Sequence, residues 1–230
     1  MMGSKKRRNI QMKYKLAIFD MDGTILNTLE DLCDATNYAL SQSDYPARTI
    51  DEVRRFVGNG IRKLIERAVP TGTEEPEIEK VHEDFTKYYK VHCADKTKPY
   101  DGIMKLLEKL RAAGCQTAVV SNKADYAVQE LCEQYFQGMF DAAAGEKEGI
   151  AKKPAPDSVN AVMKKLGTTK EHAVYIGDSE VDIETAKNAG LDCIVVEWGF
   201  RDREYLEEKG GKTFVTRPEE IKERILGDCY

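Results

Sequence analysis

The stretch Lys15 to Thr28, KLAIFDMDGTILNT, decides how the rest of the chain is read. Its apolar run, Leu16 to Phe19, ends abruptly in Asp20 and Asp22, one residue apart, followed by Gly23 and Thr24. A short apolar run without polar alternation fits a strand buried on both faces. Side chains two apart in extended backbone share a face, so the two carboxylates project together and repel. Taken alone, Asp-x-Asp-Gly fits a turn after a strand equally well. If the run is a strand, its exit needs positive charge nearby, and that is where chemistry should collect.

Downstream, the pattern changes character twice. From about Thr28 to Asp95 the signals are helical. Leu29, Leu32, Cys33, Tyr38, Ala39 and Leu40 fall near helical spacing, and Thr49 to Glu52 reads as a capping box. Ile61, Leu64, Ile65 and Ala68 form a further apolar face, and Ile78, Val81, Phe85, Tyr88 and His92 another. From about Pro99 the chain alternates helix and strand. DGIMKLLEKLRAAG reads as an amphipathic helix ended by Gly114. QTAVVSN, a short segment near Phe140, HAVYIGD, CIVVEWG and TFV read as strands with helices between them. Such alternation predicts a parallel sheet covered on both faces. The expectation is a Rossmann-like three-layer α/β/α core built from residues 13–27 and 98–230. Residues 28–97 form an inserted α-helical domain, and residues 1–12 a frayed leader.

Composition narrows the function classes. The 230 residues carry a net charge of -5, from 35 basic and 40 acidic side chains. That balance gives no general attraction for nucleic acid or anionic membranes, and neither is expected as a partner. No apolar run reaches the roughly 18 residues of a membrane span, and no secretory signal follows the basic cluster Lys5 to Arg8. Cys33, Cys93, Cys115, Cys132, Cys193 and Cys229 show no paired spacing. They read as free thiols of a reducing, cytoplasmic compartment. His82, His92 and His172 form no metal-binding pattern.

Ligands of open α/β sheets bind beyond the carboxyl ends of the strands. The first strand ends in Asp20, Asp22, Gly23 and Thr24, and the second in Ser121, Asn122 and Lys123. A segment of weak strand signal leads to AKKPAPD with Lys152 and Lys153, and AVYIGD ends in Asp178, with Asp182 four residues on. In this order, DMDGT, SNK, KKPAPD and GDSEVDIETAKNAG resemble the four motifs of the haloacid dehalogenase superfamily of phosphohydrolases. The likeness covers the chain from about Met12. With FDMDGTILNT, VGNGIRKLIERAVP and WGF, the chain looks most like that superfamily's phosphoglycolate phosphatase group.

The resemblance implies a Mg²⁺-dependent phosphatase acting on a small phosphomonoester, possibly 2-phosphoglycolate. Asp20 would be the nucleophile, forming an aspartyl-phosphate and splitting one difficult step into two easier ones. Asp22 would be general acid and then base. The metal would be held by Asp20, Asp178 and the backbone carbonyl of Asp22, with Asp182 in support. Lys153, Ser121 and Asn122 would bind the phosphoryl oxygens, with Gly23 and Thr24 beside them. The helical insert would be a mobile cap that sets substrate choice. Its Gly58, Asn59, Gly60 and Arg62 form either a loop that reaches substrate or an interhelical turn followed by a surface arginine. Trp198, Gly199 and Phe200 either line the entrance or pack in the core. The chain is expected as a monomer or homodimer. Asn27 departs from the Asp that many members carry.

Other readings are a phosphomutase of the β-phosphoglucomutase type and a non-enzymatic, phospho-accepting receiver or binding protein. A receiver is usually shorter and lacks a helical insert of this length. A dehalogenase is disfavoured, since halide departure needs no acid at Asp22. GGKT at 210–213 lacks the first glycine of a P-loop, GDSEV lacks the second glycine of a nucleophile elbow, and GNGIRK follows a helical segment instead of a strand.

Overall fold

A computed structural model describes residues 12–227. The basic leader and Cys229 lie outside the described residues. Strand β1 (Leu16–Phe19) is buried throughout. Alternate residues serve opposite layers: Ala17 and Phe19 pack into one apolar cluster, Leu16 and Ile18 into another. On both sides β1 has parallel neighbours, β4 (Gln116–Ala124) and β6 (Ala173–Gly177). Strand β5 (Ala142–Glu146) pairs with β4, β7 (Asp192–Val196) with β6, and β8 (Phe214–Val215) with β7. The sheet order is β5-β4-β1-β6-β7-β8.

Helices cover both faces. On one side lie α5 (Ile103–Ala112), α6 (Asp125–Phe136) and α10 (Pro218–Leu226). On the other lie α7 (Asp157–Leu166) and α8 (Glu180–Ala189). Leu206 of α9 (Arg203–Glu208) packs with Ile183 and Val195. The expected three-layer α/β/α arrangement with a parallel sheet is therefore present. Since β1 is flanked by strands that come later in the chain, the order reverses there, which opens a crevice at the strands' carboxyl ends.

Two residues of β2 (Leu26–Asn27) pair antiparallel with two of β3 (Lys98–Pro99). Between these strands run α1 (Leu29–Ser41), α2 (Ile50–Phe56), α3 (Ile61–Ala68) and α4 (Glu75–His92). Helix α2 starts at Thr49 with the expected capping box to Glu52. The ribbon β2–β3 is too short to leave a periodic signal. Asp31, in the first turn of α1, buries its carboxylate and accepts from the backbone N–H groups of Lys96 and Thr97, at 3.0 and 2.8 Å.

Three expectations need correction. The buried face of α4 is Val81, Phe85 and Tyr89. Tyr88 instead stacks between Tyr38 and His92, with centroids 4.2 Å apart on each side. Tyr38, expected on the apolar face of α1, is 41% exposed. The strand expected near Phe140 begins at Ala142, because Phe140 packs edge-on against Phe19 and Phe136.

Candidate active site

The exits of β1, β4 and β6 converge with the loop before α7. Lys153, from that loop, places its Nζ 2.9 Å from Asp20 Oδ1 and 2.8 Å from Asp182 Oδ1. It also donates to the Tyr175 hydroxyl at 3.1 Å. Lys152 points elsewhere and pairs with Glu146 at the surface. Carboxylate oxygens of Asp20, Asp178 and Asp182 lie within 4.8 Å of one another, all buried. Burial pushes the Asp20 carboxyl up to about 7, against the pull of Lys153. Asp178 is raised well above the carboxylate range by burial, then by the charges of Asp182 and Asp20.

Surrounding groups fix these carboxylates. Asp178 accepts from Thr24 Oγ1 at 3.1 Å and from the Phe200 N–H at 2.7 Å. Gly23 has φ +83°, and a Cβ there would stand 2.3 Å from Asp178 Oδ2; one at Gly199 would stand 2.4 Å from the same atom. Both positions must be glycine for the carboxylate to sit where it does. Asp182 Oδ2 accepts from the N–H groups of Asp178 and Ser179 and from Ser179 Oγ, so the residue braces the turn into α8 as well as Lys153.

Asp22, expected to project with Asp20, is held by a separate set of groups. Its Oδ1 accepts from Thr28 Oγ1 at 2.7 Å and from Lys123 Nζ at 2.9 Å. Lys123 is buried and also donates to the Tyr89 hydroxyl at 2.7 Å. Although burial opposes its charge, Asp22 and Tyr89 outweigh that effect and raise its pKa. Sequence reasoning placed Lys123 at a strand end but gave it no task, and it missed Tyr89 altogether. The i, i+4, i+8 ladder of Val81, Phe85 and Tyr89 was the available signal for the tyrosine.

Asp20, Asp22, Ser121, Lys123, Lys153 and Asp178 line one cavity of about 50 Å³. Its far wall comes from the helical insert: Leu32, Val57, Gly58, Gly60, Ile61, Leu64 and Tyr89. Asn122, also lining it, ties the two sides, its Nδ2 donating to the carbonyls of Lys153 at 3.0 Å and Gly58 at 3.2 Å. Phe200 lines the cavity, while Trp198 donates from its indole to the Thr24 carbonyl. Thr24 is a buried support of Asp178 and stands outside the cavity lining.

Arg62 and Asn59 do not reach this cavity. Arg62 is engaged by Glu66, Glu75 and Glu79 on the outer side of the bundle. Asn59 accepts from Arg67 at 2.8 Å. The expectation that they contact substrate is therefore corrected: acidic neighbours one turn on and across α4 hold the arginine away. The arginine beside the cavity is Arg201, which pairs with Glu180 and donates to the carbonyls of Arg54 and Val57. Arg54 returns the contact, donating to the Phe200 carbonyl and to Asp202.

A family model for haloacid dehalogenase-like hydrolases matches residues 17–196. The phosphoglycolate phosphatase of Mesorhizobium japonicum is 32% identical over 203 residues, covering 85% of this chain and 88% of the relative. The N-acetylmuramic acid 6-phosphate phosphatase of Pseudomonas aeruginosa is 28% identical over 224 residues, covering 95% and 99%. A crystal structure from Lactobacillus delbrueckii subsp. bulgaricus, provisionally named a phosphoglycolate phosphatase, superposes with a TM-score of 0.90 at 42% identity. It covers 94% of this chain and 100% of its own.

Proposed function

The chain belongs to the haloacid dehalogenase-like hydrolases and is a phosphoric monoester hydrolase; from that premise we propose that it cleaves a small phosphomonoester through an aspartyl-phosphate on Asp20, with Mg²⁺ as cofactor. One observation carries the reading. The two aspartates of DMDGT are parted, Asp20 into the carboxylate cluster with Lys153 and Asp22 toward Lys123 and Thr28. That division supports a nucleophile in Asp20 and a proton carrier in Asp22.

The residues present fit a hard divalent cation. Three carboxylates crowd a buried space, and Lys153, paired with Asp20 and Asp182, offsets one of their charges. All-oxygen donors suit Mg²⁺. Asp20 and Asp178 would hold it with the Asp22 carbonyl. Asp182, its oxygens already taken by Lys153 and the α8 turn, would act from behind. When bound, the ion offsets the negative charge that otherwise opposes carboxylate attack on a phosphoryl group.

Asp20 attacks phosphorus; the ester P–O bond breaks, and Asp22 gives its proton to the departing alkoxide. Asp22, now ionised, takes a proton from water as that water attacks the phosphorus of the aspartyl-phosphate, which frees inorganic phosphate and restores Asp20. Lys153 and Ser121 steady the phosphoryl oxygens, fixed charges being the main source of rate in such transfers. Asn122, its side-chain N–H groups engaged by the Lys153 and Gly58 carbonyls, serves through its backbone N–H. Helices α1–α4 act as a cap that closes over the site, with 13–27 and 98–230 as the core and 28–97 as the cap.

The insert closes the cavity with an apolar wall of Leu32, Val57, Ile61 and Leu64, and the phosphoglycolate phosphatases among the relatives favour a compact leaving group such as glycolate. The relatives named for phosphoglycolate and for N-acetylmuramic acid 6-phosphate mark the two ends of a size range to test. A kcat/KM panel of 2-phosphoglycolate, N-acetylmuramic acid 6-phosphate, hexose phosphates and nucleotides decides it. The reading expects activity abolished by EDTA and highest on the smallest ester; a strong preference for a hexose phosphate overturns the substrate and leaves the mechanism.

A further inference from the structure

Each aspartate of the DMDGT loop has its own buried lysine and tyrosine. Asp20 has Lys153 and Tyr175, and Asp22 has Lys123 and Tyr89. The first set belongs wholly to the sheet and its loops, where Tyr175 is anchored on the Val120 carbonyl at 3.0 Å. The second is split. Lys123 ends β4, Thr28 precedes α1, and Tyr89 lies in α4 of the helical insert.

The split set converges on one atom. Lys123 Nζ, with its side chain 2% exposed, and Thr28 Oγ1 both donate to Asp22 Oδ1. Two donors on one oxygen fix the plane of the carboxyl group, and Oδ2 is the oxygen left to exchange a proton. Lys123 is itself held from the insert, by the Tyr89 hydroxyl at 2.7 Å. A flexible four-carbon stem is thereby pinned at its charged end. If the insert moved, Tyr89 would leave, and the ammonium would lose one of its two anchors.

We propose that Lys123 is the positioning residue of Asp22, and that Tyr89 makes this positioning depend on the helical insert being seated over the sheet. The proposal rests on the reading of Asp22 as general acid and base. It adds that the alignment of the proton-transfer group is shared between the sheet and the insert through Lys123 and Tyr89. This follows from the partition of donors between the two halves of the molecule.

Leaving-group chemistry supplies the test. p-Nitrophenolate departs without a proton, whereas the alkoxide of 2-phosphoglycolate needs one. The Asp22→Asn, Lys123→Met and Tyr89→Phe proteins are compared on both esters with Mg²⁺, by steady-state rates and by rapid mixing. Lys123→Met should lower kcat on 2-phosphoglycolate by about 100-fold, the scale of one general acid, with KM changed little. On p-nitrophenyl phosphate it should give a burst of one equivalent of p-nitrophenolate before a slow steady rate, because only the second step needs Asp22. Tyr89→Phe should show the same pattern more weakly, and it decides the matter alone if Lys123→Met does not fold. A rise in KM for 2-phosphoglycolate with kcat intact would overturn the proposal, making Lys123 a direct contact of the substrate anion. So would equal losses on both esters without a burst. If Asp22→Asn itself shows no leaving-group dependence, the acid/base reading has failed; if it does and Lys123→Met does not, only the proposal has.

Discussion

Asp178 shows how much of the site depends on residues that touch no substrate. Thr24 and the Phe200 N–H hold its two oxygens, and glycines at 23 and 199 leave room for them. Removing one such support should loosen the cation site without disturbing the fold. Thr24→Ala is expected to raise the Mg²⁺ concentration for half-maximal activity by about 10-fold, the low end of what an outer partner contributes. A Mg²⁺ titration checks this, and an unchanged midpoint would count against Asp178 as a ligand. At this scale the sequence spoke clearly wherever an apolar run stopped at a polar residue, as at Asp20, Ser121 and Asp178. It was silent where a role comes from a distant partner. Nothing in SNK announces that Lys123 meets Tyr89, and nothing in GNGIRK shows that Arg62 turns outward to Glu75 and Glu79. The one local warning was Glu66, four residues after Arg62, which is the usual spacing for an ion pair along a helix.

Among the elements, long periodic segments were legible and short or ambiguous ones were not. Helix α5 and the buried strands β1 and β6 follow from their patterns. The paired residues of β2 and β3 are too few to repeat anything, yet they carry the chain into and out of the helical insert. Helix α4 was read with one face running from Val81 and Phe85 to Tyr88 and His92; packing against α1 instead continues it from Phe85 to Tyr89. Asp31 fastens the crossing by accepting from the Lys96 and Thr97 backbone beside β3. An Asn there offers one acceptor oxygen where two are used and turns an N–H₂ group toward N–H donors. Asp31→Asn should therefore cost about 1–3 kcal/mol, seen as a lower urea midpoint at unchanged slope. A midpoint equal to that of the parent protein would show that the crossing does not depend on this contact.

For the molecule as a whole, three buried carboxylates meet at one edge of the sheet. Burial lifts Asp20 to about 7 from an ordinary value of 3.8. Between those values the folded protein holds a proton that the unfolded chain has lost, so without a cation stability falls as pH rises through that window. A cation binds the ionised form and offsets the loss. Mg²⁺ is expected to raise Tm more at about pH 8 than at about pH 5, as thermal unfolding with and without the ion will show; an equal gain at both would separate the ion from these carboxylates. No described helix is long and apolar enough to cross a membrane. The sheet topology, the parted aspartates and the buried lysines meet in one claim, that Asp20 accepts the phosphoryl group. Mass spectrometry of the Asp22→Asn protein, acid-quenched after mixing with p-nitrophenyl phosphate and Mg²⁺, tests it most directly. The expected result is a gain of one phosphoryl group on the peptide that contains Asp20, absent when Asp20→Asn is added. Turnover with no phosphorylated peptide, or with the group on another residue, would contradict it.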